Sequence, residues 1–104
     1  MNADVDALTR AIEERLGDFA GLDARILFDL DTGGCIGIDA TAHPPSLAPD
    51  MTADDADCTI RVSADNLRKL IDGSLNPMLA YTLGKLKIDG SMGLAMKIAA
   101  RLEE

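Results

Sequence analysis

Four short runs in this chain alternate apolar and polar side chains: ARILFDLD at 24–31, CIGIDA at 35–40, CTIRVS at 58–63 and KLKID at 85–89. A period of two places every second side chain on the same face of a strand. Ile26, Phe28 and Leu30 then share one side, as do Ile36 with Ile38, Cys58 with Ile60 and Val62, and Leu86 with Ile88. Around these runs the apolar spacing shifts to three and four, the period of a helix. Strands that each present one apolar face need a cover, and amphipathic helices supply one. The pattern therefore predicts an α+β fold: one mostly antiparallel sheet with helices packed on one face.

Thr32-Gly33-Gly34 between the first two runs reads as the turn of a β-hairpin. Val5, Leu8, Ile12 and Leu16 give an amphipathic helix over 3–16, with Gly17 as its stop. Residues 41–57 hold three of the four prolines, so at best a ragged edge strand lies inside that loop. Ser63 is placed to cap a helix with Leu67, Leu70 and Ile71 as its apolar stripe and Gly73 as its end. Asn76-Pro77 opens another helix, PMLAYTL, which stops at Gly84. Gly90 turns the chain and Ser91 caps the last helix. There Met92, Leu94, Ala95, Met96, Ile98, Ala99 and Leu102 cover most of the circumference, and Lys97 and Arg101 form the polar stripe. That arc exceeds the roughly 100° a surface helix needs, so further apolar material is expected against it. Gly93 lowers helix propensity by about 1 kcal/mol relative to Ala, which implies close approach of a backbone or ligand.

The 104 residues suffice for a single domain. With Phe19, Phe28 and Tyr81 the only aromatics, the core must be aliphatic. The net charge of −8 argues against nucleic acid, which calls for clustered cations and stacking aromatics. Charge is uneven: residues 1–63 carry 4 basic and 13 acidic side chains, residues 64–104 carry 6 and 5. A solvated acidic surface accounts for this; a less acidic half facing an anionic membrane is the sharper reading. Cys35 and Cys58 form no CxxC and suggest free thiols in a reducing compartment. The acidic N-terminus lacks the features of a signal peptide, and no apolar run approaches the roughly 18 residues of a membrane span. A cytoplasmic location is expected.

Catalytic patterns are missing. His43 is the single histidine and lies in the proline-rich loop, which leaves no ordinary zinc set. No GxSxG, P-loop or GxGxxG occurs. Asp50, Asp54, Asp55 and Asp57 do not match an EF-hand and read as a solvated acidic loop. No enzyme and no cofactor are expected.

The segment GSLNPMLAYTLGKLKIDGSMGLAMKI, residues 73–98, resembles the type-2 sterol-carrier-protein family. Members show a Gly, a short gap, an acidic residue or Asn with Pro, an Ala-rich helical turn, and then G-K-[LV]-K-[IV]-x-G before an apolar C-terminal helix. Gly73, Asn76, Pro77, Ala80, Gly84, Lys85, Leu86, Lys87, Ile88 and Gly90 stand in those places. The order of elements upstream agrees as well. Ser91, where an acidic residue is frequent, the proline-rich 41–57 segment, Cys35 near a position often aromatic, and the missing peroxisomal tripeptide depart from the pattern.

The resemblance implies a stand-alone, bacterial-type member: a five-stranded, mostly antiparallel sheet covered on one face by helices, enclosing an apolar tunnel. It implies non-enzymatic binding or transfer of a fatty acid, fatty acyl-CoA, sterol-like or isoprenoid-quinone-type lipid. The ligand-binding residues expected are Ile26, Phe28, Ile60, Met78, Leu79, Leu83, Leu86, Ile88, Met92 and Met96. For the strand residues plain core packing is the competing reading; the methionines can repack around a flexible chain. Tyr81 serves either as core with its hydroxyl at the rim or as a head-group contact. The partners expected are a hydrophobic small-molecule lipid and, transiently, a membrane, with the chain a monomer or weak dimer. The alternative is an accessory or scaffold subunit whose apolar groove takes a protein or a second copy, as in lipid or quinone synthesis.

Overall fold

The computed structural model describes residues 3–30 and 34–102, with side chains from Val5 onward. The elements run α1 (Ala3–Glu14), a 3₁₀ turn (Leu16–Phe19), β1 (Arg25–Leu30), β2 (Cys35–Asp39), β3 (Ser46–Leu47), β4 (Cys58–Val62), α2 (Ala64–Asp72), α3 (Pro77–Thr82), β5 (Leu86–Gly90) and α4 (Met92–Leu102). The five strands form one sheet in the order β3-β2-β1-β4-β5. β1–β2, β2–β3 and β4–β5 are antiparallel; the central β1–β4 pair is parallel, with Phe28 beside Ile60. The hairpin turn read at Thr32-Gly33-Gly34 lies mostly outside the described residues, but Leu30 N–H donates to the Gly34 carbonyl at 2.9 Å and closes it. The proline-rich loop contributes two edge residues, as its composition allows.

Alternation sets the inner face. Ile26, Phe28, Leu30, Ile36, Ile38, Cys58, Ile60, Val62 and Leu86 are all buried, and Ile88 is half-buried on the edge strand. α1 lies against β2, where a Cβ on Gly34 would come within 2.6 Å of the Val5 methyl. α4 covers β4 and β5, and α3 packs at β5 beside α4. The caps follow the sequence. Ser63 Oγ accepts from Asn66 N–H at 3.1 Å, the Asn76 carboxamide from Leu79 N–H at 3.1 Å, and Ser91 Oγ from Leu94 N–H at 3.2 Å. Gly73 takes the left-handed conformation that ends α2.

Three features differ from the sequence reading. Gly17 does not stop α1: the helix ends at Glu14, and the chain tightens through the 3₁₀ turn to bury Phe19. The outer sheet face is not wholly open either. Met51 folds back onto Gly37, where a Cβ would lie 2.5 Å from the Ala48 carbonyl and 2.7 Å from Met51 Cβ. Leu27 and Thr59, at the same register level, are buried with it. Arg101 is not part of a free polar stripe. Its guanidinium donates to the Asp18 and Ala20 carbonyls, both at 2.9 Å, and ties α4 to the 3₁₀ turn. Arg15 joins the same knot, donating to Asp18 at 2.8 Å and to the Ile71 carbonyl at 3.0 Å.

Elsewhere the outer face is charged and exposed, with Arg61 bridging Asp29 and Asp89. The acidic loop satisfies its own donors: Asp57 accepts from Arg25 N–H and Asp55 from Thr52. Asp39, held by the Thr41 hydroxyl and N–H, titrates below the ordinary carboxylate range.

Cys35 is exposed and Cys58 buried. Burial, with Asp57 and Asp89 nearby, pushes the Cys58 thiol up to about 11. A folded-state value above the unfolded one means the unfolded chain loses its proton first as pH rises. Stability is therefore intact below about pH 9 and falls between about 9 and 11, by roughly 2–3 kcal/mol in total. Chemical denaturation across that range should show the fall in the wild type and not in Cys58→Ala. At neutral pH a thiol reagent should label Cys35 at once and Cys58 only on unfolding.

Candidate functional site: an apolar cleft under α3 and α4

Between the β4–β5 side of the sheet and the two helices α3 and α4 lies a cleft whose lining is almost wholly apolar. Phe28, Ile60, Leu86 and Ile88 form its floor. α2 and α3 contribute Leu70, Pro77, Met78 and Tyr81, and α4 contributes Ala95, Met96, Ile98, Ala99 and Leu102. The Tyr81 hydroxyl is the single side-chain polar group on this lining. Its cavity volume is about 30 Å³. Small-molecule sites span roughly 300–1,000 Å³, so the cleft as it stands is narrower than a lipid-sized tunnel. A space this small has no lipid-sized path until side chains move. Met78 and Met96 at the rim, 42% and 44% exposed, are the unbranched side chains that can do so.

The expected binding residues divide. Phe28, Ile60, Met78, Leu86, Ile88 and Met96 meet at the cleft. Ile26 is fully buried on the same sheet face but does not line it. Leu79, Leu83 and Met92 do not line it either; they point outward and are 51%, 57% and 44% exposed. α3 is only six residues long: Pro77 and Ala80 are its buried positions, and Met78 and Tyr81 reach the cleft while half exposed. Leu70, Pro77, Tyr81, Ala95, Ile98, Ala99 and Leu102 line the cleft and were absent from the expected set. The recurrence of Ala95 and Ala99 four apart on the widest apolar arc was the available sign, because small side chains leave the space that long ones fill.

Gly93 is likewise not a close-approach site within this chain: a Cβ there meets nothing within 4 Å. Gly93→Ala should accordingly stabilise the fold by about 0.5–1 kcal/mol, read as a higher denaturation midpoint. Among the described residues no group of three metal-ligating side chains occurs, and no helix is long and apolar enough to cross a membrane.

A family model described as the SCP-2 sterol transfer family matches residues 5–103. The chain belongs to that family. Among relatives, sterol carrier protein 2 of Bos taurus is 54% identical over 43 residues, 41% of this chain and 8% of that protein. Hydroxysteroid dehydrogenase-like protein 2 of Homo sapiens is 31% identical over 98 residues, 90% of this chain and 23% of that protein. The chain thus spans under a quarter of the length of these relatives. Among solved structures, the sterol carrier protein domain 2 of Helicoverpa armigera superposes with a TM-score of 0.79 at 25% identity, covering 99% of this chain and 93% of that one. The SCP-2 fold, a five-stranded mixed sheet with helices on one face, is the fold described above.

Proposed function

We propose that this chain binds one hydrophobic lipid in the cleft between the sheet and α3–α4 and carries it without chemical change. The lining carries the reading: thirteen residues converge there and only Tyr81 brings a polar side-chain atom. Such a surface recognises methylene chains and cannot activate a bond. A fatty acid, fatty acyl-CoA, sterol-like or isoprenoid-quinone-type molecule suits it, its polar head left at the rim near the half-exposed Tyr81. The relatives named as sterol carriers support the same class of cargo.

Entry requires Met78 and Met96 to part, since the closed cleft holds little more than a water-sized volume. Each methylene then buried contributes about 0.8 kcal/mol, so micromolar affinity follows from burying roughly ten of them. Phe28, Ile60, Leu86 and Ile88 form the contact floor in this reading, with Ile26 packed behind it; Leu79, Leu83 and Met92 stay outside.

Native mass spectrometry of freshly purified protein, followed by solvent extraction, tests this directly. A stoichiometric adduct of fatty acid, phospholipid or quinone precursor is expected, and extraction names the class. A bare mass, no uptake of offered lipid and a dimeric peak would favour a scaffold whose groove takes protein instead.

A further inference from the structure

Every large apolar side chain that is exposed among the described residues lies between positions 78 and 96: Met78, Leu79, Tyr81, Leu83, Met92 and Met96. They belong to α3, the residue after it, and the first half of α4, two helices that pack side by side. The concentration is not a by-product of the cleft, because Leu79, Leu83 and Met92 have no part in its lining. Isolated exposed apolar residues are ordinary; their concentration on two neighbouring helices marks a surface that meets something.

Charge identifies the occupant. Residues 1–72 carry 6 basic and 15 acidic side chains. Residues 73–104 carry Lys85, Lys87, Lys97 and Arg101 against Asp89 and the two final residues Glu103 and Glu104. Asp89 is already engaged by Arg61 at 3.1 Å. Lys85 lies three positions beyond the end of α3 and Lys97 follows Met96 on α4, and neither has an ion pair among the described residues. The exposed apolar segments of a strongly acidic protein thus carry Lys85 and Lys97 beside them in the chain.

We propose that the face formed by α3 and the N-terminal half of α4 docks onto lipid bilayers bearing anionic headgroups. Apolar side chains enter the headgroup–acyl boundary while the lysines stay at headgroup level, the arrangement of an interfacial helix. The acidic remainder is held away from the surface, which fixes orientation. A second copy fits less well: a twofold contact sets the same patch against itself, so a surface bearing Lys85 and Lys97 would meet the same positive charges and no acidic complement. Docking stands on this surface and not on the cargo. If the lipid reading also holds, Met78, Tyr81 and Met96, which both line the cleft and are exposed, place its mouth on the bilayer.

Co-sedimentation with phosphatidylcholine vesicles, and with vesicles of equal parts phosphatidylcholine and phosphatidylglycerol, tests the proposal. Binding only to the mixed vesicles is expected, weakening as salt shortens the screening length. Leu79→Gln with Leu83→Gln should weaken it about tenfold or more. Lys85→Gln and Lys97→Gln should each weaken it about fivefold. None of the four positions lines the cleft, so uptake of a fluorescent fatty acid should be unchanged in every variant; loss of uptake in the wild type would instead defeat the cargo reading alone. No binding to either vesicle, equal binding to both, or full binding by the leucine variant would overturn the docking proposal. So would a concentration-dependent dimer in sedimentation equilibrium that the leucine variant abolishes, since a second copy would then be the occupant.

Discussion

Ala99→Phe should lower the affinity for a long-chain fatty acyl probe about fiftyfold while leaving the protein folded. Ala99 is half-buried on α4, facing the cleft between Met96 and Leu102. A phenyl ring there occupies the space into which a chain would extend. Exclusion of about three methylenes, at about 0.8 kcal/mol each, gives that factor. Because the native position is half open to solvent, the ring has somewhere to rotate, and the expected change in stability stays within about 1 kcal/mol. Fluorescence titration and a thermal melt on the same sample separate the two effects. Unchanged affinity in a folded variant would move the ligand away from α4 altogether.

The largest effect on stability is expected at Gly90. Its φ is +97°, and a Cβ there would stand 2.6 Å from the Asp57 carbonyl oxygen and 3.3 Å from Cys58 Cα. Both obstacles are backbone of the neighbouring chain segment, so neither can swing aside as a side-chain tip would. Gly90→Ala should cost about 3 kcal/mol or more and lower the melting temperature by roughly 10–20 °C. The damage spreads beyond one residue. Ser91 N–H donates to the same Asp57 carbonyl at 3.1 Å, and Ser91 Oγ caps α4. Displacing Gly90 therefore moves the start of the helix that roofs the cleft, and lipid uptake should fall with stability. Gly93→Ala, three residues on and facing open space, is the matched control with the opposite sign.

Local rules read well in this chain because they depend on neighbours a few positions away. The inner face from Ile26 to Ile88, the caps Ser63, Asn76 and Ser91, and the helix end at Gly73 are each decided within one or two turns of sequence. The cleft was partly legible for the same reason: strand alternation places Phe28, Ile60, Leu86 and Ile88 on the covered face, and the motif around Gly84–Gly90 places α3 and α4 over it. What failed was any judgement of direction on a short helix. Leu79 on α3 and Leu83 just beyond it have the composition of core residues, but the positions that this six-residue helix buries are Pro77 and Ala80. Hydrophobicity says that a side chain prefers burial and not whether a partner exists to bury it.

The amino-acid sequence by itself determined the class of fold, the aliphatic core, the one apolar sheet face and the family resemblance, because periodicity, turn chemistry and capping are local. Only the tertiary structure decided the parallel β1–β4 pairing, the seating of Met51 on Gly37, and the closed state of the cleft. It also decided that Arg101 ends on the carbonyls of Asp18 and Ala20, more than eighty positions away. These are contacts between segments distant in the chain, and their geometry is set by how whole elements pack, which no window of sequence contains.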